Sequence, residues 1–137
     1  ASVFGTPGVD IDWRNQNTFF LKTGEAKTYI GKYRGVNRIP LLKLSEMYLI
    51  AAEASGDKGY LQTLRDHRGY VNYPLEENCD LSAEIEAEYR KEFMAEGQLF
   101  YYYKRLDYNT LPDMGVVMTG NYVFPMPDDE MEFGDIK

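Results

Sequence analysis

Cysteine and histidine are almost missing from this 137-residue chain, which has one of each, Cys79 and His67. A lone cysteine excludes an internal disulfide. A lone histidine, with no Cys or acid beside it at metal-ligand spacing, leaves a zinc site or a nucleophile-His-acid triad without support. A surplus of positive charge is missing as well. The chain has 15 Lys and Arg against 22 Asp and Glu, a formal net charge of -7. Its basic residues are scattered and form no stripe, which disfavours nucleic acid as a partner. Nor is there a long apolar run. The most apolar stretch, Ile39 to Ala54, is interrupted by Lys43, Glu46 and Glu53, and is too polar to span a bilayer.

What is present is enough for one core. Hydrophobic residues make up 44% of the chain and aromatic residues 15%, which suits a single compact unit better than two. Residues 1–38 alternate turn formers ("GTPG", "KTG", "YRGVN") with short aromatic or β-branched runs ("NTFFLKT", "KTYIGKY"), and read as loops and short strands. From Pro40 the period changes. Leu44, Met47, Tyr48, Ala51 and Ala52 share one helical face, with Pro40 suited to the start of the helix and Gly56 to its end. Asp57 can cap a second helix containing Tyr60, Leu61 and Leu64. The two form a helical hairpin, and Ala51, Ala52 and Ala54 let its axes approach closely, as in tetratricopeptide-like units.

A long third helix is expected from Leu81 to about Asp107, with Leu81, Ile85, Tyr89, Phe93 and Phe100 as its stripe. Residues 40–107 therefore read as three helices. Within the third, Gly97 lies mid-helix, where it costs roughly 1 kcal/mol against alanine unless another backbone approaches closely. Leu99 to Tyr103 are large in succession, so that turn is apolar all round and needs neighbours on every side. Residues 112–137 read as a short hairpin turning at Gly120-Asn121, followed by a tail. The fold class is mainly α.

Few residues carry chemistry. Glu92 and Glu96 stand one helical turn apart and could act as a glycosidase carboxylate pair, but such pairs flank the scissile bond from opposite sides. The alternative is that they meet Arg65 and Arg68 of the preceding helix as a structural cluster. The acids from Asp128 to Asp135 lack the alternating order of a calcium loop. Trp13, Tyr29 and Tyr33 offer flat faces on which sugar rings can stack. No catalytic residue, metal site or cofactor is assigned.

Four motifs in order, "IPLLKLSEMYLIAAEA", "LRDHRG", "EYRKEFMAEGQLFYYYKRL" and "YVFPMPDDE", resemble the C-terminal part of the SusD/RagB family of nutrient-uptake lipoproteins. The resemblance implies a tetratricopeptide-like helix pair plus a long third helix. It also implies non-catalytic binding of a glycan and its delivery to a SusC-type TonB-dependent transporter at the cell-surface-exposed outer membrane. The lipid anchor and much of the glycan-contacting surface are then expected outside this chain. Arg90, Glu92, Glu96 and Gly97 match the family's R-x-E-F-x-x-E-G pattern, which implies fold roles for them. Where many members read EGxRxxDLxR this chain reads "EGQLFYYYKR", with Leu99 and Tyr102 at the Arg and Asp positions. A helical-repeat adaptor for protein partners is the competing reading of the same helix pair.

Overall fold

The computed structural model describes residues 11–21, 28–112, 115–118, 120, 122–123 and 126–127. These are mainly helical, with very little strand. They belong to two compact units, Ala1–Leu99 and Phe100–Lys137.

The first unit opens with a short helix, α1 (Trp13–Thr18), in a region whose composition predicts only loops and strands. Asp12 just before it bonds the backbone N–H of Arg14 at 3.0 Å, satisfying one of the donors that a helix start leaves free. Strands β1 (Phe19–Leu21) and β2 (Thr28–Ile30) follow as an antiparallel pair, with Phe19 opposite Ile30. They coincide with the two aromatic runs of the sequence.

Helix α2 (Leu44–Ser55) starts four residues after Pro40, because Lys43 is extended at φ -119° and ψ 138° and serves as the N-cap. The helix buries Ser45, Leu49 and Ala52, and leaves Leu44, Met47 and Ile50 exposed. The buried face is thus rotated from the one that Leu44 and Met47 would define. With apolar residues at eight of its twelve positions the helix has no single hydrophobic side, and its neighbours choose the face. Gly56 ends it at φ 71°, its N–H bonded to the Ala52 carbonyl at 3.0 Å. Asp57 then caps α3 (Lys58–Arg65) by accepting the Gly59 N–H at 2.8 Å. α2 and α3 pack together, with Leu61 and Leu64 in the core.

A π-helical turn (Asp66–Tyr70) carries the chain on from α3, with Gly69 at φ 107°. A Cβ at Gly69 would lie 2.2 Å from the Ile11 carbonyl oxygen and 2.9 Å from Trp13 Nε1. This glycine is therefore what lets the segment before α1 come against the end of α3.

Helix α4 (Leu81–Glu92) is capped by Asp80, which accepts from the N–H groups of Ser82 and Ala83. It packs on α2 and buries Ile85, Glu88, Tyr89, Lys91 and Glu92, so more than half of its buried residues are charged. Tyr89 stacks against Phe93 with ring centroids 5.4 Å apart. The expected long helix stops here. Ala95 at φ 61° and Gly97 at φ 78° take left-handed conformations, and a new helix, α5 (Gln98–Arg105), begins. Gly97 is therefore an exposed joint between helices, and a Cβ on it would meet nothing within 4 Å. The close backbone approach expected there does not occur. Lys32 explains part of the break: its ammonium bonds the carbonyl of Glu92, one of the groups a helix C-terminus leaves unpaired.

In the second unit, Tyr102 and Tyr103 are buried, while Tyr101 is 64% exposed. Tyr103 packs on Tyr108, and Phe100 on Tyr122. The chain's own later residues thus cover part of the apolar turn. Val117 pairs with Thr110 through an isolated antiparallel bridge, so its partner lies before the glycine Gly115 and not across Gly120. Asn121 and the rest of the expected second strand fall largely outside the described residues, as does the acidic run from Asp128.

Candidate functional site

Two charged clusters meet at the end of α4. The first is built around Glu92. Arg68, from the π-helical turn after α3, grips it in fork geometry, Nη2 to Oε1 at 2.9 Å and Nε to Oε2 at 3.1 Å. Arg14, from α1, donates to the same carboxylate at 3.1 Å, to Glu88 at 2.7 Å and to Asp12 at 2.6 Å. Lys91 completes the cluster with a 2.8 Å contact to Glu88. Three carboxylates thus face three cations, and Asp12, Glu88, Lys91 and Glu92 are all buried.

Such a cluster can exist inside the protein only because its charges balance and its oxygens are bonded. Burial pushes the Glu92 carboxyl up, but the bonds and charge of Arg68, a hydrogen bond with Ser45 and the charge of Arg14 overcome this and bring it down to about 2. Burial also works against ionisation of Asp12, and Arg14 again reverses the balance, so Asp12 is held below the usual carboxylate range. Burial opposes the charge of Arg14, but Asp12 and Glu88 outweigh it, so the guanidinium is held charged even more firmly than usual.

The second cluster is built around Glu96, four residues on. Lys32, just after β2, and Lys43, the N-cap of α2, both bond Glu96 Oε1. Here two ammonium groups share one carboxylate. Burial and the neighbouring Lys43 charge depress the Lys32 ammonium even with Glu96 beside it. For Lys43 burial is outweighed by Glu96 and by Tyr33, and its ammonium is raised. Lys43 also sits over the ring of Phe93 at 5.0 Å. The Tyr33 hydroxyl is buried and makes no hydrogen bond of ordinary geometry among the described residues.

Beside this second cluster lies a cavity of about 370 Å3, lined by Ile30, Gly31, Lys32, Tyr33, Arg34, Met94, Ala95 and Glu96. It joins the segment after β2 to the joint after α4. Its size falls in the range of small-ligand pockets, about 300 to 1,000 Å3.

Of the aromatic candidates, Tyr33 lines this cavity, Tyr29 is half-buried on β2, and Trp13 lies against Gly69 with 58% of its surface exposed. Of the charged ones, Glu92 does meet Arg68, but Glu96 takes lysines and no arginine. Arg65 turns instead to Glu84 at 2.8 Å and lies over the Tyr70 ring at 4.6 Å. Arg90 is half-buried on α4. The sequence reading did not single out Asp12, Arg14, Lys32, Lys43 or Glu88. Two of these left a trace: Lys43 interrupts the most apolar run, and Glu88 sits three residues after Ile85, on the side of α4 that faces inward.

Among the described residues no group of His, Cys, Asp and Glu is placed to hold a metal ion, and no helix is long and apolar enough to cross a membrane. The chain matches no protein-family model, no curated protein and no solved structure.

Proposed function

We propose that the chain is a portion of a non-catalytic glycan-binding protein of the SusD/RagB kind, which captures an oligosaccharide and passes it to a SusC-type TonB-dependent transporter at the bacterial outer membrane. The observation that carries this reading is the state of Glu92 and Glu96. Both acids of the R-x-E-F-x-x-E-G pattern are bound by cations from distant segments, and both are held below the usual carboxylate range against the effect of burial. A glycosidase needs one carboxyl raised, so that it carries a proton to the leaving oxygen at working pH. Neither acid meets that need. Their geometry instead supports the fold role that the resemblance implies, with α1, α2 and the end of α3 tied to α4.

The packed pair α2 and α3, joined by Gly56 and Asp57, supports the tetratricopeptide-like part of the reading. Tyr33 beside the cavity supplies an aromatic surface next to hydrogen-bonding side chains, the combination by which sugars are held. A second reading, a helical adaptor for protein partners, draws on the exposed apolar residues Leu41, Leu42, Leu44, Met47 and Ile50.

Amide chemical-shift titration against a panel of neutral and acidic oligosaccharides, with product analysis, tests the proposal. The expected result is shifts at and around Tyr33 with every glycan recovered intact. Hydrolysis of any glycan by the chain would overturn it, as would silence towards every glycan.

A further inference from the structure

Little in the residues after Glu92 requires α4 to end there. Met94, Ala95 and Glu96 are good helix formers, and no proline stands between Leu81 and Asp107, so Gly97 alone weighs strongly against a continued helix. The break is marked by an exchange of hydrogen-bond partners. In a continued helix the N–H of Glu96 would donate to the carbonyl of Glu92, four residues back. It donates instead to the Phe93 carbonyl at 3.1 Å, while the Glu92 carbonyl accepts from the ammonium of Lys32. The Phe93 N–H still donates to the Tyr89 carbonyl at 2.9 Å, so the helical ladder is intact up to the group that Lys32 occupies.

What holds the bend comes from far along the chain. Lys32, 60 residues before Glu92, bonds both its carbonyl and the Glu96 carboxylate. Lys43 bonds the same carboxylate and lies 3.5 Å from the same carbonyl. Against these bonds stands local strain. Ala95 is left-handed at φ 61°, a conformation its Cβ disfavours, although alanine is the best helix former. Two arrangements of the same five residues therefore compete: a bent one held by tertiary bonds, and a helical one favoured by local backbone chemistry.

We infer that the joint of residues 93–97 is a two-state element and that Lys32 is the latch that holds it bent. When the ammonium is withdrawn, the Glu96 N–H returns to the Glu92 carbonyl and α4 runs on by about one turn. The joint lies within the first compact unit, so the change is local to it. Its consequence falls on the cavity. Met94, Ala95 and Glu96 line the cavity in the bent state, and Lys32 lines it as well. One side chain thus belongs to the cavity and fixes its shape. The latch is a property of the fold and does not require the glycan-binding reading.

The test is nuclear magnetic resonance of the 137-residue chain, with Cα chemical shifts reporting the backbone of residues 93–97. Lys32→Met removes the ammonium and keeps an unbranched side chain. Helical shifts are expected to extend from Glu92 through Gly97 in this variant, about one turn further than in the natural chain. Adding Ala95→Gly should return the joint to the natural pattern, because glycine takes the left-handed conformation freely and weakens a helix. A lysine that mattered only for packing would give no such rescue. Natural shifts at residues 93–97 in Lys32→Met would overturn the latch, as would random-coil values there, or a double variant that stays helical. If Lys32→Met does not fold, Gly97→Ala decides, at a position that is exposed and open. With Lys32 in place it favours the helix and opposes the bend, so the same Cα shifts should move towards helical values, whereas unchanged shifts would overturn the two-state joint.

Discussion

Arg68 holds Glu92 through two bonds of 2.9 and 3.1 Å, joining the turn after α3 to the last residue of α4. Glu92 is only 5% exposed, and Arg14 reaches it from a second side. Taking away the carboxylate leaves two guanidinium groups without their shared partner. Glu92→Gln is therefore expected to destabilise the fold by about 3 to 5 kcal/mol, which lowers the melting temperature by roughly 10 to 20 °C. Glu84→Gln removes an acid that is 37% exposed and paired with Arg65, and should cost under about 1 kcal/mol. Thermal melts of the two variants give the comparison, and equal small losses would show that the Glu92 cluster contributes little.

Acid should weaken the protein through the same residue. The Glu92 carboxyl is held at about 2 in the folded chain against an ordinary 4.5. The stability it contributes is fully present above pH 4.5 and is lost as pH falls towards 2, a contribution of roughly 3 kcal/mol. Asp12 and Glu96 are also held low and act with the same sign. Urea midpoints should fall steadily below about pH 5, and the gap between the natural chain and Glu92→Gln should narrow over the same interval. A gap that stays constant down to pH 2.5 would contradict the assignment.

Two glycines with positive φ should respond differently to alanine. At Gly69 the new methyl would collide with the Ile11 carbonyl at 2.2 Å, which is backbone and cannot swing aside. Gly69→Ala is expected to detach the segment carrying Asp12 and Arg14, with a loss comparable to Glu92→Gln. At Gly97 the space is open, and only the left-handed backbone opposes the methyl, so Gly97→Ala should cost about 1 to 2 kcal/mol. Quenched tryptophan fluorescence offers a local readout, since Trp13 lies against Gly69 and should become more accessible to quencher in the first variant alone.

The apolar side of α2 and the segment before it should make the isolated chain adhesive. Ile39, Leu41, Leu42 and Leu44 are each 70% or more exposed, within six residues. Soluble monomers seldom carry large apolar patches uncovered. Light scattering is expected to show association that grows with concentration, and the double change Leu41→Ser with Leu42→Ser should reduce it without lowering the melting temperature. Scattering from a clean monomer at high concentration would remove the adaptor reading's main support.

Local chemistry explains which features could be read from the chain alone. Gly56 ends α2 and Asp57 and Asp80 begin α3 and α4 because each acts on backbone groups within four residues of itself. The aromatic runs pair as β1 and β2 for a similar reason: their partners are close along the chain. The mainly helical class was legible for the same cause, since hydrophobic period is a property of neighbouring residues.

What depended on distant residues could not be read so. Leu81 to Asp107 has helical periodicity throughout, yet it divides after Glu92, where Lys32, 60 residues earlier, binds the Glu92 carbonyl. α2 is apolar on most sides, so only its packing against α3 and α4 selects Ser45, Leu49 and Ala52 for burial. The sequence alone already determined that Glu92 and Glu96 stand close together and that arginines lie upstream. That Glu92 takes Arg14 from 78 residues away, and that Glu96 takes two lysines instead of an arginine, was decided by the tertiary structure. Charge acts through space and its strength depends on burial, so neither the partner of a charge nor the worth of the pair is written in the residues beside it.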